Sequence, residues 1–406
     1  MKISKMLAFV LPVLISIGAC GDSASSSSAN LTVTGATDSA NVLFQTASGG
    51  AWSAVSVTGG NYKATLASTS TPFGMAIYCQ NTNTTQIIQG TIAEVGNKMN
   101  PVYCAPIAGS VTGSVSNVTG ADTAKVVIGN NNNWSATSTP TLTAGAGTYS
   151  LSGISSGTYD VAAVESDSSN NVVKVLIARN QTISSNAYSH TFDMSTATSV
   201  SATNTLSAIS QLGLTSTGSA ALVTSNGTSI PVNNVANYAV VPGTSAGDVY
   251  IISMQVSSGA SFVTRNNFYD ATTNPGNITI DLSGITFTSK FTFGAGPAVS
   301  ALSYTPSNSS PGSKAFQIKL GSGSALGSNI TVTPGYLGSG TIYTIPSFTA
   351  AGYPSWNLTS ANKYNFTANA VMPNWNFSRT GGNLTGDSAD YAGVNTTLNG
   401  APVTYP

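Results

Sequence analysis

The stretch Gly147-Thr-Tyr-Ser-Leu-Ser-Gly-Ile-Ser-Ser-Gly-Thr-Tyr-Asp-Val161 decides the fold. Tyr149 and Leu151 alternate with Thr148, Ser150 and Ser152, the period of two that marks a half-buried strand. A Gly- and Ser-rich turn follows, and Tyr159-Asp-Val-Ala-Ala-Val164 opens a second strand. Short runs of this kind, cut by Gly, Asn, Ser and Pro, extend from Leu31-Thr-Val-Thr34 to Ile278-Thr-Ile-Asp-Leu282 and on to Tyr364-Asn-Phe-Thr-Ala368. Long helical periodicity is nearly absent. Only Leu206, Ile209 and Leu212 are spaced for one or two helical turns. The chain therefore reads as all-β.

The stretch has counterparts on both sides. Asn61-Tyr-Lys-Ala-Thr-Leu66 matches Thr148-Tyr-Ser-Leu-Ser152, and Gly74-Met-Ala-Ile-Tyr78 falls opposite Gly157-Thr-Tyr-Asp-Val-Ala162. Upstream, Gly35-Ala-Thr-Asp-Ser-Ala-Asn-Val42 matches Gly120-Ala-Asp-Thr-Ala-Lys-Val-Val127, which puts Trp52 opposite Trp134. A fainter third copy carries Tyr238-Ala-Val-Val241 and Gly247-Asp-Val-Tyr-Ile-Ile252. The period of about 85 residues suits a sandwich of roughly seven strands.

This Tyr-x-Leu, turn, Gly-x-Tyr-x-Val pattern resembles that of the carboxypeptidase regulatory-like domains, which share a prealbumin-like sandwich. Immunoglobulin-like and fibronectin type III-like sandwiches fit the same pattern. The resemblance implies that the first strand buries its aromatic residue and Leu151. It implies an architecture and no catalytic residue. The expected division is a signal peptide (1–19), a lipidated Cys and tether (20–30), three β-sandwiches (31–107, 108–198 and 199–285) and a C-terminal sandwich-like region (286–406). The residues from Gly381 on look irregular.

The N-terminus carries a separate signal. Lys2 and Lys5 precede an apolar run from Met6 to Ile17, too short to span a bilayer and laid out as an export signal. It ends in Ile17-Gly-Ala-Cys20, which resembles the lipobox of bacterial lipoproteins. That resemblance implies cleavage before Cys20 and a diacylglycerol on its thiol. The membrane would then be the first partner of the chain. Gly21 follows Cys20, where an inner-membrane retention signal would have Asp, so the outer membrane or cell surface is the expected location. Residues 21–30 are Ser-rich and read as a flexible tether.

Charge and cysteine usage narrow the function. Charged residues make up 6% of the chain, with 13 basic against 13 acidic. A neutral surface argues against nucleic-acid binding, which needs a basic patch. Cys79 and Cys104 remain after processing, and in an exported chain the pair reads as a disulfide. No Cys or His cluster accompanies them, so no metal site is expected, and no cofactor motif is present.

Catalytic chemistry is thin. The one histidine, His190, sits in the strand-like Tyr188-Ser-His-Thr-Phe192 and reads as an ordinary strand position. Glu94 and Glu165 fall in different copies. Asp387 and Asp390 lie in a Gly-rich stretch. Asp160, Glu165 and Asp167 can line one strand end and an adjacent turn, where weak calcium binding is the minor reading, without the pattern of an EF-hand loop. Trp356, Trp375, Tyr353 and Tyr364 have no repeat counterpart, which makes them the candidates for stacking on a ligand such as carbohydrate. The expectation is a lipid-anchored, non-enzymatic binding, adhesion or spacer protein. An accessory lipoprotein of a secretion or polysaccharide-handling system is the first alternative. An enzyme with its site in the C-terminal region is the second.

Overall fold

A computed structural model describes residues 31–404 apart from 81–82, 100–103, 105–108, 131–133, 155–156, 185–187, 201, 210–215, 235–236, 259–260, 283–291, 294–297, 301–314, 322–325, 341, 360–362, 372–387 and 396–402. Cys20, Trp375 and Asp387 lie outside the described residues. The described chain is nearly all β, built as sandwiches of packed sheets.

The first segment holds β1 (Leu31–Ala36), β2 (Val42–Gln45), β3 (Ser53–Val55), β4 (Val57–Thr58), β5 (Asn61–Leu66), β6 (Phe73–Cys79), β7 (Thr84–Gly90) and the single turn α1 (Ile92–Val95). The second holds β8 (Gly109–Ser116), β9 (Thr123–Asn130), β10 (Trp134–Ser138), β11 (Gly147–Ile154), β12 (Gly157–Ser166), β13 (Val172–Ile183), β14 (Tyr188–Asp193) and β15 (Thr198–Ser199). The third holds β16 (Ala202–Ile209), β17 (Ser216–Val223), β18 (Ser229–Pro231), β19 (Asn233–Asn234), β20 (Asn237–Val240), β21 (Val249–Ser258), β22 (Ser261–Asp270) and β23 (Ile278–Asp281). The last holds β24 (Thr292–Phe293), β25 (Ala298–Ser300), β26 (Ala315–Gly321), β27 (Gly327–Val332), α2 (Pro334–Leu337), β28 (Tyr343–Thr344), β29 (Lys363–Val371), β30 (Ser388–Asn395) and β31 (Val403–Thr404).

The first three segments pair their strands alike. β5 lies antiparallel to β1, β11 to β8 and β20 to β16. In the facing sheets β6 pairs β2 and β7, β12 pairs β9 and β13, and β21 pairs β17 and β22. A late strand then runs parallel to the first: β14 beside β8, and β23 beside β16. The opening stretch forms β11 and β12, with Tyr149, Leu151, Tyr159 and Val161 buried in one core.

β12 is buried on both faces, from Tyr159 to Glu165. Tyr159, Val161 and Ala163 fill the core of the second segment, while Ala162 and Val164 join that of the third. The unbroken apolar run Val161-Ala-Ala-Val164 has this cause, since a strand covered on both sides loses its polar alternation.

Two expectations need correction. Leu206 and Ile209 belong to β16, not to a helix. Asn204 and Leu206 are buried while Thr203, Thr205 and Ser207 are exposed, so the period is two. The region after Gly381 is not wholly irregular, because β30 pairs with both β22 and β29.

Hydrogen bonding does not stop at the segment ends drawn from the repeats. One sheet runs β18-β17-β21-β22-β30-β29-β26-β27-β7-β6-β2-β3, joining the third segment to the last and the last to the first. The closing contact is parallel: β27 lies beside β7, from Gly327 opposite Thr84 to Val332 opposite Gln89. A shared core backs it, in which Leu43, Ala76 and Ile87 meet Phe316, Ile318, Ile330, Phe348 and Trp356.

Cys79 and Cys104 form a disulfide with their Cα atoms 4.5 Å apart, and both are buried. Closing a loop with a separation of 25 residues should stabilise the fold by about 3 kcal/mol. Cys79→Ala/Cys104→Ala is therefore expected to lower the urea midpoint, and a non-reducing peptide map should join the two peptides. An unchanged midpoint would contradict this role.

Candidate functional site

Two buried polar junctions fix the segments to one another. Between first and last, the Gln89 amide donates to Gln45 Oε1 (3.2 Å) and to the Tyr336 hydroxyl (2.6 Å). Tyr336 donates to Gln45 Oε1 (2.6 Å), and the Tyr343 hydroxyl donates to Gln89 Oε1. All four side chains are buried. Burial pushes both phenols above their ordinary pKa, so they remain donors. Glu94 lies beside them. It accepts from Thr91 N–H (3.1 Å) in a capping box on α1, from the Thr333 hydroxyl (2.5 Å), and from Gly335 N–H (2.7 Å) in the first turn of α2. One carboxylate thus ties two helical turns that are far apart in sequence.

Between second and third segments the junction is ionic. Arg179 on β13 reaches Asp160 (3.3 Å) on β12 and Asp248 (2.6 Å) just before β21. Both carboxylates are fully buried, while the guanidinium side chain is 22% exposed. Asp160 also accepts from Asn180 N–H (2.8 Å) and the Asn226 amide (3.0 Å). The buried Thr228 hydroxyl accepts from Gly129 N–H (3.2 Å) and donates to the Asp160 carbonyl (2.6 Å). Desolvation alone would lower the Arg179 pKa, but its two carboxylate partners raise it above the ordinary value.

Glu165 leaves the same strand toward different partners. It accepts from Thr119 N–H (3.1 Å) and pairs with Lys174 (3.1 Å). Burial works to raise its pKa, yet Thr119 and Lys174 outweigh burial and hold it below the ordinary carboxylate value. Asp167 accepts from the backbone of Ser169 and Asn171 in its own turn. Asp160, Glu165 and Asp167 therefore do not converge, and among the described residues no group of three His, Cys, Asp or Glu side chains is placed to hold a metal.

The aromatic candidates fall mostly inside. Trp356 is 5% exposed and Tyr364 0% exposed, so neither presents a face to a ligand, and the surface expectation for them is corrected. Trp356 follows Pro354 in a 3₁₀ turn that drives its ring onto Tyr78 (5.8 Å between centroids), Phe348 (5.9 Å) and Tyr353 (4.8 Å). Trp52 meets Phe348 at 5.2 Å. These rings join the first segment to the last. Tyr353 is half-buried and donates to Asn41 Oδ1 (3.1 Å). His190 lies on β14 between Tyr188 and Phe192, and burial lowers its pKa. Asp390 lies on β30, opposite Arg265 in register.

One surface feature escaped the sequence. A concavity of about 710 Å³ opens over β1, β4, β5 and residues 97–99, lined by Thr34, Ala36, Ser56, Asn61, Lys63 and Lys98 among others. Residues 97–99 extend the sheet of β1, since Thr34 N–H donates to Asn97 C=O and Met99 N–H to Thr34 C=O. The Tyr62 ring packs against Gly35, where an added Cβ would fall 2.1 Å from the Tyr62 hydroxyl. A side chain at that position would push the ring out of the core. No protein-family model and no curated protein matches the chain.

Arg179→Met should destabilise the fold by roughly 3–5 kcal/mol in urea unfolding, because it strands two buried carboxylates. A loss below about 1 kcal/mol would show that the junction is not closed in solution. Stability should also fall with acid. A depressed pKa in the folded state gives stability that is present above the ordinary value of 4.5 and lost as pH drops through the folded value. The thermal midpoint should be level above about pH 5 and fall below it, with Glu165→Gln flattening part of the fall.

Proposed function

We propose that this chain is a lipid-anchored protein of the cell envelope that works as a non-enzymatic binding or spacer body, held at the membrane by Cys20. The observation that carries the reading is Ile17-Gly-Ala-Cys20 at the end of an export-type apolar run, followed by the Ser-rich segment 21–30. The first described strand, β1, begins at Leu31, directly after that segment. A mechanical role is supported by the use of the scarce charges. Arg179, Asp160, Asp248 and Glu94 each join elements from different segments. The carboxypeptidase regulatory-like resemblance of residues 147–161 belongs to the same proposal and adds architecture, not chemistry.

The anchor is tested on the mature protein. Mass spectrometry should find Cys20 at the N-terminus carrying a diacylglyceryl group. Cys20→Ser should move the chain from the membrane to the soluble fraction. An unmodified N-terminus elsewhere refutes the anchor. Binding is tested separately, with glycan-array and whole-cell screens of the purified protein. A negative result on both would leave the spacer role.

A further inference from the structure

We propose that the concavity over β1, β4, β5 and residues 97–99 binds a phosphate-bearing head group between Lys63 and Lys98. The two lysines are distant in sequence, and the fold aligns them. Thr34 on β1 is directly opposite Lys63 on β5, and on its other edge it is bridged in parallel to Lys98. Directly paired residues present their side chains to one face. All three are exposed, which fits one outward row. Neighbouring strands lie about 4.8 Å apart, so the two lysine Cα atoms are roughly 10 Å apart across Thr34. Each ammonium rides a flexible four-carbon stem, and from that spacing both can close on a single anion.

The surrounding chemistry favours an anion. No Asp or Glu lines the concavity. The acidic residues nearest in sequence are already engaged: Asp38 accepts from Cys104 N–H, and Glu94 holds Thr91, Thr333 and Gly335. Lys174 and Arg179 are paired with carboxylates of the second and third segments, away from this hollow, and no carboxylate lines it beside Lys63 and Lys98. In a chain with 6% charged residues, two cations over one hollow are a concentrated field.

The floor narrows the class. Thr34, Ser56 and Thr58 supply hydroxyls and Asn61 an amide, beside a larger apolar surface from Ala36, Val55, Tyr62 and Met99. The hydroxyls and the amide can share the anion with the two ammonium groups, and the apolar surface can take the carbon backbone that carries it. A phosphate accepts hydrogen bonds from several directions at once, as two ammonium groups with hydroxyl neighbours require. About 710 Å³ lies within the usual range for small-molecule sites. The phosphate could belong to a phospholipid head group at a bilayer surface or to a soluble phosphoester. The inference does not depend on the anchor at Cys20.

The test is competitive lysine acylation of the purified full chain, read residue by residue by mass spectrometry. Lys125 and Lys319 serve as internal references. The probes are glycerol 3-phosphate, glycerol, phosphatidylglycerol vesicles and phosphatidylcholine vesicles. Acylation of Lys63 and Lys98 should slow together, roughly tenfold once a phosphate probe is at ten times its dissociation constant, with the references unchanged. Protection by glycerol 3-phosphate but not glycerol supports a soluble phosphoester. Protection by phosphatidylglycerol vesicles alone supports a lipid head group. Thr34→Glu, which sets a carboxylate between the lysines, should abolish the protection at an unchanged melting temperature, and Thr34→Val should keep it. Unchanged reactivity with every probe, or equal slowing of all lysines, overturns the proposal.

Discussion

The parallel pairing of β7 with β27 is the contact on which the arrangement of the chain depends. It brings Thr84–Gly90 beside Gly327–Val332, across most of the described sequence. Closing so long a loop costs only slightly more than closing a short one, because the entropy grows with the logarithm of length. What must offset it is local. Six paired positions, the shared apolar core and the Trp52–Phe348–Trp356–Tyr78 rings all act at this one seam. The Gln45, Gln89, Tyr336 and Tyr343 network adds a condition of register. A shift of one residue would leave buried amides and phenols unpaired, at about 1–3 kcal/mol each. The seam is therefore held by apolar area and specified by its polar atoms.

Scarce charge follows the same logic at the other junction. A chain with few ionic groups can spend surface on Ser, Thr and Asn, yet it keeps two carboxylates fully buried under Arg179. Burying an ion is costly unless it is paired and hydrogen-bonded, and here Asn180, Asn226 and Ser225 complete the shell. Such a group contributes little net stability over an apolar pair of the same volume. It does make one docking of β12 against the third segment far better than its neighbours.

Strand content was legible because alternation is local. Tyr149-x-Leu151 and Tyr159-x-Val161 face one core, as alternation requires. The β7–β27 seam was not legible, since each partner reads as an ordinary alternating strand and nothing in the spacing names a partner far along the chain. The helical reading of Leu206 and Ile209 failed on a three-residue coincidence that neighbouring Thr and Ser outweigh. Trp356 and Tyr364 were set on the surface because no repeat counterpart placed them inside. Lacking a counterpart marks a residue as peculiar to its segment, and that segment uses its aromatics to meet the first one. Lys63 and Lys98 gave no signal at all, because only strand pairing sets them in one row.

In the proposed role these seams have a mechanical meaning. A string of independent sandwiches would bend at every linker, and its reach would fluctuate. Here hydrogen bonds run without a break from the third segment through the last to the first, and β12 is packed into two cores at once. Bending at a segment boundary would expose the apolar faces that meet there. Adjustable distance from the membrane is then left to residues 21–30, which span at most about 35 Å when extended. β1 begins immediately after them, so the sheet carrying Thr34, Lys63 and Lys98 is the part of the folded body nearest the anchor in sequence. A cationic row at that place is within reach of an anionic membrane surface, because Thr34 lies only a few residues beyond the tether. Anchor and row would then act together, the lipid setting the distance and the lysines the orientation.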